Sequence, residues 1–213
     1  MYLPKSFEEN ASAPTKEFIR QHPLATLITL GSEGLCADHI PLLIPTKDTP
    51  GLMLQGHVAR ANPIWQCIEA RGEILAVFQD PGRYITPSWY ATKTESKRVV
   101  PTWNYIAVHA YGEAVAIHDP AWLRTFLERL TDQHEATRPM PWALSDAPDD
   151  YLTKQLRAIV GIEIRVSRLL GKWKLSQNRS AKDIDGVIAG LEETDEPCAQ
   201  RMADEIRKRR PPG

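Results

Sequence analysis

Apolar and polar positions along this chain follow two rhythms. Through residues 24–117 apolar runs are short, and proline, glycine or polar pairs break them. Residues 24–30 are apolar and rich in β-branched side chains, 31–34 (GSEG) supply a turn, and 35–44 resume, so a hairpin is predicted. Pro41 and Pro45 push its second strand toward an edge, because neither can donate to a ladder. Further strands are predicted over 52–58, after a Pro50–Gly51 turn, over 74–78, over 84–90, and over 104–117 beyond a polar loop at 91–98. Residues 161–169 alternate cleanly. Ile162, Ile164 and Val166 share one face and Glu163, Arg165 and Ser167 the other, the pattern of a half-buried antiparallel strand. The following GKWKLSQN, 171–178, extends or closes it.

The second rhythm is helical. Phe18 and Ile19 give a short helix over 15–22. Asn62-Pro63, a cap followed by proline at the first helical position, opens another with Ile64, Cys67 and Ile68 on one face. His118-Asp119-Pro120 opens a third, with Leu123, Phe126, Leu127 and Leu130 inward. Helices are also predicted at about 149–158, from Ser180 with Ile184, Val187, Ile188 and Leu191 inward, and over 197–209, ahead of a basic tail ending in proline. About seven antiparallel strands with helices gathered late predict a mainly β protein: a small barrel with helices around it. The barrel is assigned to residues 1–178 and a C-terminal helical extension to 179–213. The strand–helix–strand rhythm of a parallel sheet is missing, as are GxGxxG and the P-loop, which argues against a dinucleotide or nucleoside-triphosphate fold.

Composition narrows the function classes. A net charge of −1 over 213 residues lacks the basic excess of a general nucleic-acid binder. The basic clusters 93–98 and 207–210 have no recognition-helix context. Cys36, Cys67 and Cys198 are far apart in sequence and odd in number, which fits neither a disulfide framework nor a zinc site and points to a reducing cytoplasm. The first residues lack the apolar core of a signal peptide, and no apolar run is long enough to span a bilayer. No HxH, HExxH or GxSxG occurs, so neither a metal hydrolase nor a serine hydrolase is indicated.

Four stretches could carry chemistry. In 56–63 (GHVARANP), His57 and Arg60 stand between a strand end and the helix start at Asn62. Backbone N–H groups, the helix dipole and a guanidinium there suit a phosphate, although an ordinary strand-to-helix turn would read the same. Asp38 and His39 interrupt an apolar strand ahead of Pro41, an inconsistency that marks either a functional site or an exposed edge. Residues 84–112 hold Trp89, Trp103 and four tyrosines, with Ser88, Thr102 and Asn104 among them. Such rings suit a wall that is both apolar and hydrogen-bonding. By alternation Trp103, Tyr105, Ala107 and His109 share a face, and a core histidine explains His109 better than a catalytic base does. Finally, Lys172 and Lys174 flank Trp173 ahead of Ser176, Gln177 and Asn178, an anion or ring-edge contact or a solvated strand end.

YITPSWY (84–90), VPTWNYIAVHAYGEA (100–114) and GKWKLSQN, with Asp185-Gly186-Val187 and Gly190-Leu191 beyond, resemble the PaiB family, described as FMN-binding negative transcriptional regulators. The resemblance runs from the first residues to about Leu191, and Thr86 keeps a hydroxyl where serine is common. It implies an antiparallel split β-barrel like that of pyridoxamine phosphate oxidase, FMN as cofactor, and a homodimer with flavin at the subunit interface. The residue reading then assigns the phosphate to Arg60 and the Asn62 helix start, with His57 beside them. Asp38 and His39 are assigned to the flavin ring or ribityl chain, and Trp89, Trp103 and Asn104 to ring walls. Lys174 and Gln177 would reach across from a partner. DNA remains an open partner class, and a flavin-dependent oxidoreductase and a haem-binding split barrel remain alternatives.

Overall fold

The computed structural model describes residues 1–45 and 51–210. The turn expected at Pro50–Gly51 and the proline end of the chain reach outside that description. In chain order the elements are β1 (Glu8–Glu9), α1 (Ser12–Gln21), β2 (Leu24–Gly31), β3 (Gly34–Pro41), β4 (Leu52–Ala59), α2 (Ile64–Arg71), β5 (Glu73–Gln79) and β6 (Arg83–Ile85). There follow α3 (Lys93–Ser96), β7 (Thr102–Ile117), α4 (Pro120–Glu135), α5 (Asp149–Arg157), β8 (Ile159–Lys174), α6 (Ala181–Glu192) and α7 (Pro197–Lys208). Eight strands form one sheet in the order β1-β8-β7-β5-β2-β3, with β4 on β8 and β6 on β7.

Two differences from the sequence pattern have local causes. The strand expected over 84–90 stops at Ile85. Pro87 has no N–H to give a ladder, and the chain turns through a 3-10 helix, Pro87–Trp89, whose start Thr86 caps by accepting from the Ser88 N–H. The strand expected over 35–44 ends at Pro41, after which Leu43 makes only an isolated bridge to Gln55. The polar loop 91–98 contains the single turn of α3, closed by Lys97 in the left-handed conformation at φ 54°.

The chain forms two compact units. One comprises Lys16–Phe78 and His109–Leu169. Here β2 pairs with β3 from Leu24↔Pro41 to Gly31↔Gly34 and with β5 at Thr26↔Val77. The register turns Ala25, Leu27, Ile40, Ala76 and Phe78 inward and buries them. β4 lies on β8 with Leu54 opposite Ile164 and Val58 opposite Val160, all four buried. Phe18 and Ile19 of α1, Ile64 and Ile68 of α2, and Leu123 and Phe126 of α4 complete this core.

The other unit comprises Met1–Thr15, Gln79–Val108 and the chain from Leu170 onward. In it α6 packs on the partly buried Trp89. The chain of α6 runs against this residue so closely that a Cβ at Gly190 would lie 2.3 Å from the indole Cε2, and one at Gly186 would lie 2.0 Å from the Trp89 carbonyl oxygen. Only glycine permits that approach. Asp183, in the first turn of α6, accepts from the Thr92 N–H and hydroxyl at 2.9 Å each. Ser180 caps the same turn. Ile184, Val187 and Leu191 of α6 and Met202, Ala203 and Ile206 of α7 are buried.

Candidate functional site

In the unit that contains β2–β5, the structure brings Arg60, Asn62 and Asp38 into tight networks. Arg60 Nε donates to the Arg157 carbonyl and Nη2 to the Ile159 carbonyl, each at 2.8 Å, and Nη1 lies 3.2 Å from His118 Nδ1. A guanidinium only donates, so His118 Nδ1 accepts and its proton sits on Nε2, 2.9 Å from Glu69 Oε1. Arg60 therefore closes the end of β4 onto the start of β8. Three of its five N–H donors are engaged there, and the exposed guanidinium keeps two for another acceptor. Asn62 donates to Asp38 at 2.7 Å and accepts from the Ile64 N–H at 2.9 Å. It caps α2 and ties it to β3, and the Asp38 carboxylate is used in the same bond. His39 lies on the opposite face of β3, exposed and across from Thr26.

His57 is different. Burial pushes its imidazole below its ordinary value, and Nδ1 is buried without a partner among the described residues. Phe126 meets the ring edge-on at 5.6 Å. Gly161, opposite His57 in the ladder, lies under the Trp122 ring. Two residues back on the same face, Gln55 donates to Glu163 at 2.6 Å while its own Oε1 has no partner. Gln55 and Glu163 were not singled out by sequence, where each reads as an ordinary polar position in a strand. Only the register places them opposite each other.

The outward faces of β5, β2 and β3 form a largely apolar surface, crossed by the polar pair Thr26 and His39. Leu24, Thr26, Ile28 and Leu30 alternate with the buried set, opposite Pro41, His39, Ala37 and Leu35. Leu24 is 63% exposed and Leu35 80%. Leu75 and Val77 of β5 extend the same surface.

The second unit holds a cationic cluster. Lys174 donates to the Thr102 hydroxyl and to the Trp103 carbonyl at 2.6 Å. Burial, and then the charges of Lys172 and Arg179, hold its ammonium below the ordinary lysine range. Lys172, two residues earlier on the same face, lies 5.2 Å from the Tyr105 ring and donates to the Tyr2 carbonyl. Arg179 lies 4.7 Å above the Tyr90 ring. The Tyr90 hydroxyl is buried, and burial pushes it up against the opposing pull of Arg179. Beside Lys174 the Trp103 ring is 55% exposed and stands edge-on to the half-exposed Tyr84 at 6.2 Å.

The other expected wall and ligand residues make contacts within the chain. Trp89 is the floor under α6. Asn104 is fully buried and exchanges hydrogen bonds with Ser176 at 3.0 and 3.2 Å. Gln177 accepts from the Leu175 N–H and donates to the Trp173 carbonyl. It closes the turn that holds Ser176 at φ 67°.

A phosphate monoester needs cations, and an isoalloxazine needs an apolar or aromatic wall with a few hydrogen-bonding groups. The Lys172–Lys174–Arg179 cluster beside Trp103 and Tyr84 has that chemistry. His57 Nδ1 and Gln55 Oε1, buried without partners among the described residues, offer hydrogen-bonding groups near Phe126 but no cation.

The family model described as "Putative FMN-binding domain" matches residues 1–168. The chain is 34% identical over 204 residues to "Protease synthase and sporulation protein PAI 2" of Bacillus subtilis (strain 168), covering 96% of this chain and 95% of that protein. An uncharacterised protein of Aspergillus fumigatus is 32% identical, covering 98% of this chain and 97% of its own. Among solved structures, the FAD and heme binding protein from Mycobacterium smegmatis superposes with a TM-score of 0.60 at 14% identity, covering 86% of this chain and 80% of that one. The flavocytochrome Anf3 from Azotobacter vinelandii gives 0.57 at 15% identity, covering 78% and 69%. The antiparallel sheet with helices around it, not closed on itself, is thus the split-barrel fold that the sequence led us to expect.

Proposed function

This chain belongs to the PaiB family of FMN-binding split-barrel proteins, and on that premise we propose that it works as a flavin-loaded homodimer in negative transcriptional regulation. The observation that carries the flavin reading is the Lys172–Lys174–Arg179 cluster beside exposed aromatic rings. There Lys174, with two of its three N–H groups engaged by Thr102 and Trp103, and Lys172 would hold the phosphate. Trp103 and Tyr84 would lie along the ring system. Bound FMN would supply redox chemistry, and the chain's part is to bind, orient and shield it.

The apolar surface of β5, β2 and β3 supports self-association. A second copy would cover Leu24 and Leu35, which otherwise face water. The net charge of −1 favours regulation without broad electrostatic attraction to DNA. In a gel-shift assay with upstream DNA at two salt concentrations, we expect no salt-sensitive, sequence-independent shift.

The deciding experiment is the visible spectrum of the purified protein, followed by titration with FMN. A flavin doublet and saturable quenching of flavin fluorescence are expected. A Soret band, or no flavin binding on titration, would overturn the reading.

A further inference from the structure

Two cysteines far apart in sequence converge at the end of the β2–β3 hairpin. Gly31 closes β2. A Cβ built on it would lie 3.0 Å from Cys67 Sγ and 3.4 Å from Cys36 Sγ. The two sulfurs are therefore no further apart than the sum of those two distances, and both border the space that a side chain on Gly31 would enter. Cys36 sits on β3 opposite Thr29, and Cys67 sits on α2. Both are partly exposed thiols, so a small oxidant can reach them. The bond from Asn62 to Asp38 already fixes the start of α2 against β3, which keeps the two thiol-bearing elements in register.

We propose that Cys36 and Cys67 form an oxidation site, a dithiol that hydrogen peroxide converts to an intramolecular disulfide between β3 and α2. One thiolate attacks a peroxide oxygen, breaking the O–O bond and giving a sulfenic acid and water. The second thiol then displaces the hydroxyl of that sulfenic acid as a second water while the S–S bond forms. Two thiols are oxidised by two electrons and one peroxide is reduced to two waters. The site is independent of the flavin reading and needs only peroxide.

Closure requires the sulfurs to approach to about 2 Å, across a space that a side chain at residue 31 would fill. Gly31 has no φ in the left-handed region, so alanine is conformationally allowed there and acts as a wedge. Cys198, on α7 in the other unit, serves as an internal control.

The test exposes the full-length folded protein to hydrogen peroxide and follows thiol titre and peptide mass. The titre should fall from three thiols to one, recover with dithiothreitol, and yield a linked peptide joining Cys36 to Cys67. Gly31→Ala, checked for native circular dichroism, should cross-link about tenfold more slowly. In Cys36→Ser, Cys67 should stop at sulfenic or sulfinic acid. Oxygen adducts on both cysteines with no linked peptide in the parent protein would overturn the proposal. So would cross-links through Cys198, or a Gly31→Ala variant that closes as fast as the parent.

Discussion

Asp183 shows how a single residue's titration becomes a stability statement. Burial alone would raise its carboxyl. The hydrogen bonds from the Thr92 N–H and hydroxyl and from Ser180, with the charge of Arg179, outweigh that and hold it below its ordinary value of 3.8. A carboxyl whose folded value lies below its unfolded one stabilises the fold fully above the unfolded value and loses that contribution as pH falls through the folded one. Asp183→Asn should therefore flatten the acid limb of a urea-midpoint profile below about pH 4 and leave its neutral-to-alkaline shape unchanged. Asp183→Ala should cost about 2–3 kcal/mol at pH 7 by urea unfolding, since it strands the Thr92 donors. Lys174 gives the second prediction at this scale. Lys174→Gln should weaken FMN binding at least about tenfold, since a charge-assisted contact to phosphate contributes more than a neutral one. Arg60→Gln should leave flavin affinity unchanged and lower stability. A fluorescence titration of both variants decides between the two cations. Sequence could not show how Arg60 is tied into the fold, because the carbonyls it meets come from residues 97 and 99 positions later in the chain.

At the scale of elements, most of the architecture was legible because the patterns are locally consistent. The 24–41 hairpin, the capped helices at Asn62 and Asp119, and the alternation through 161–169 all appear where periodicity puts them. Misplaced boundaries fall where a proline outweighs an apolar run, at Pro41 and Pro87. What periodicity could not reveal is why α6 carries glycines on the same face as its apolar residues. Glycine inside a helix ordinarily weakens it, and the gain here is the close seat of α6 on Trp89. Gly190→Ala would drive a methyl into the indole, 2.3 Å from Cε2. We expect a loss of about 3 kcal/mol in urea unfolding and a blue-to-red shift of tryptophan emission at lower denaturant than in the parent. Trp89→Phe in the same background should recover part of the loss by making room. Trp89 was read from sequence as a ring wall for a ligand, and the close approach of α6 to it was not legible there.

At the scale of the whole molecule, the sheet leaves one broad surface that its own chain explains poorly. Leu24, Leu30 and Leu35 are each more than 40% exposed, and the ladder places them on one side of β2 and β3 with Ile28, Ala37 and the polar pair Thr26 and His39 between them. Exposed leucines scattered singly need no explanation, but three on one face of a hairpin make that face a candidate interaction surface. Strand alternation predicts that the face exists. Sequence alone could not say that it stays uncovered, because that depends on which helices pack where. If a second copy covers it, charge placed there should separate the subunits without unfolding them. Leu35 is 80% exposed in the single chain, so Leu35→Glu costs the monomer little burial, and the same change at Leu24 adds like charge to the same seam. Sedimentation equilibrium of the parent should give twice the chain mass, and Leu24→Glu/Leu35→Glu should give the mass of one chain with its thermal unfolding still cooperative. A parent that sediments as one chain at micromolar concentration would refute the homodimer. A double variant that remains dimeric would move the seam to another surface.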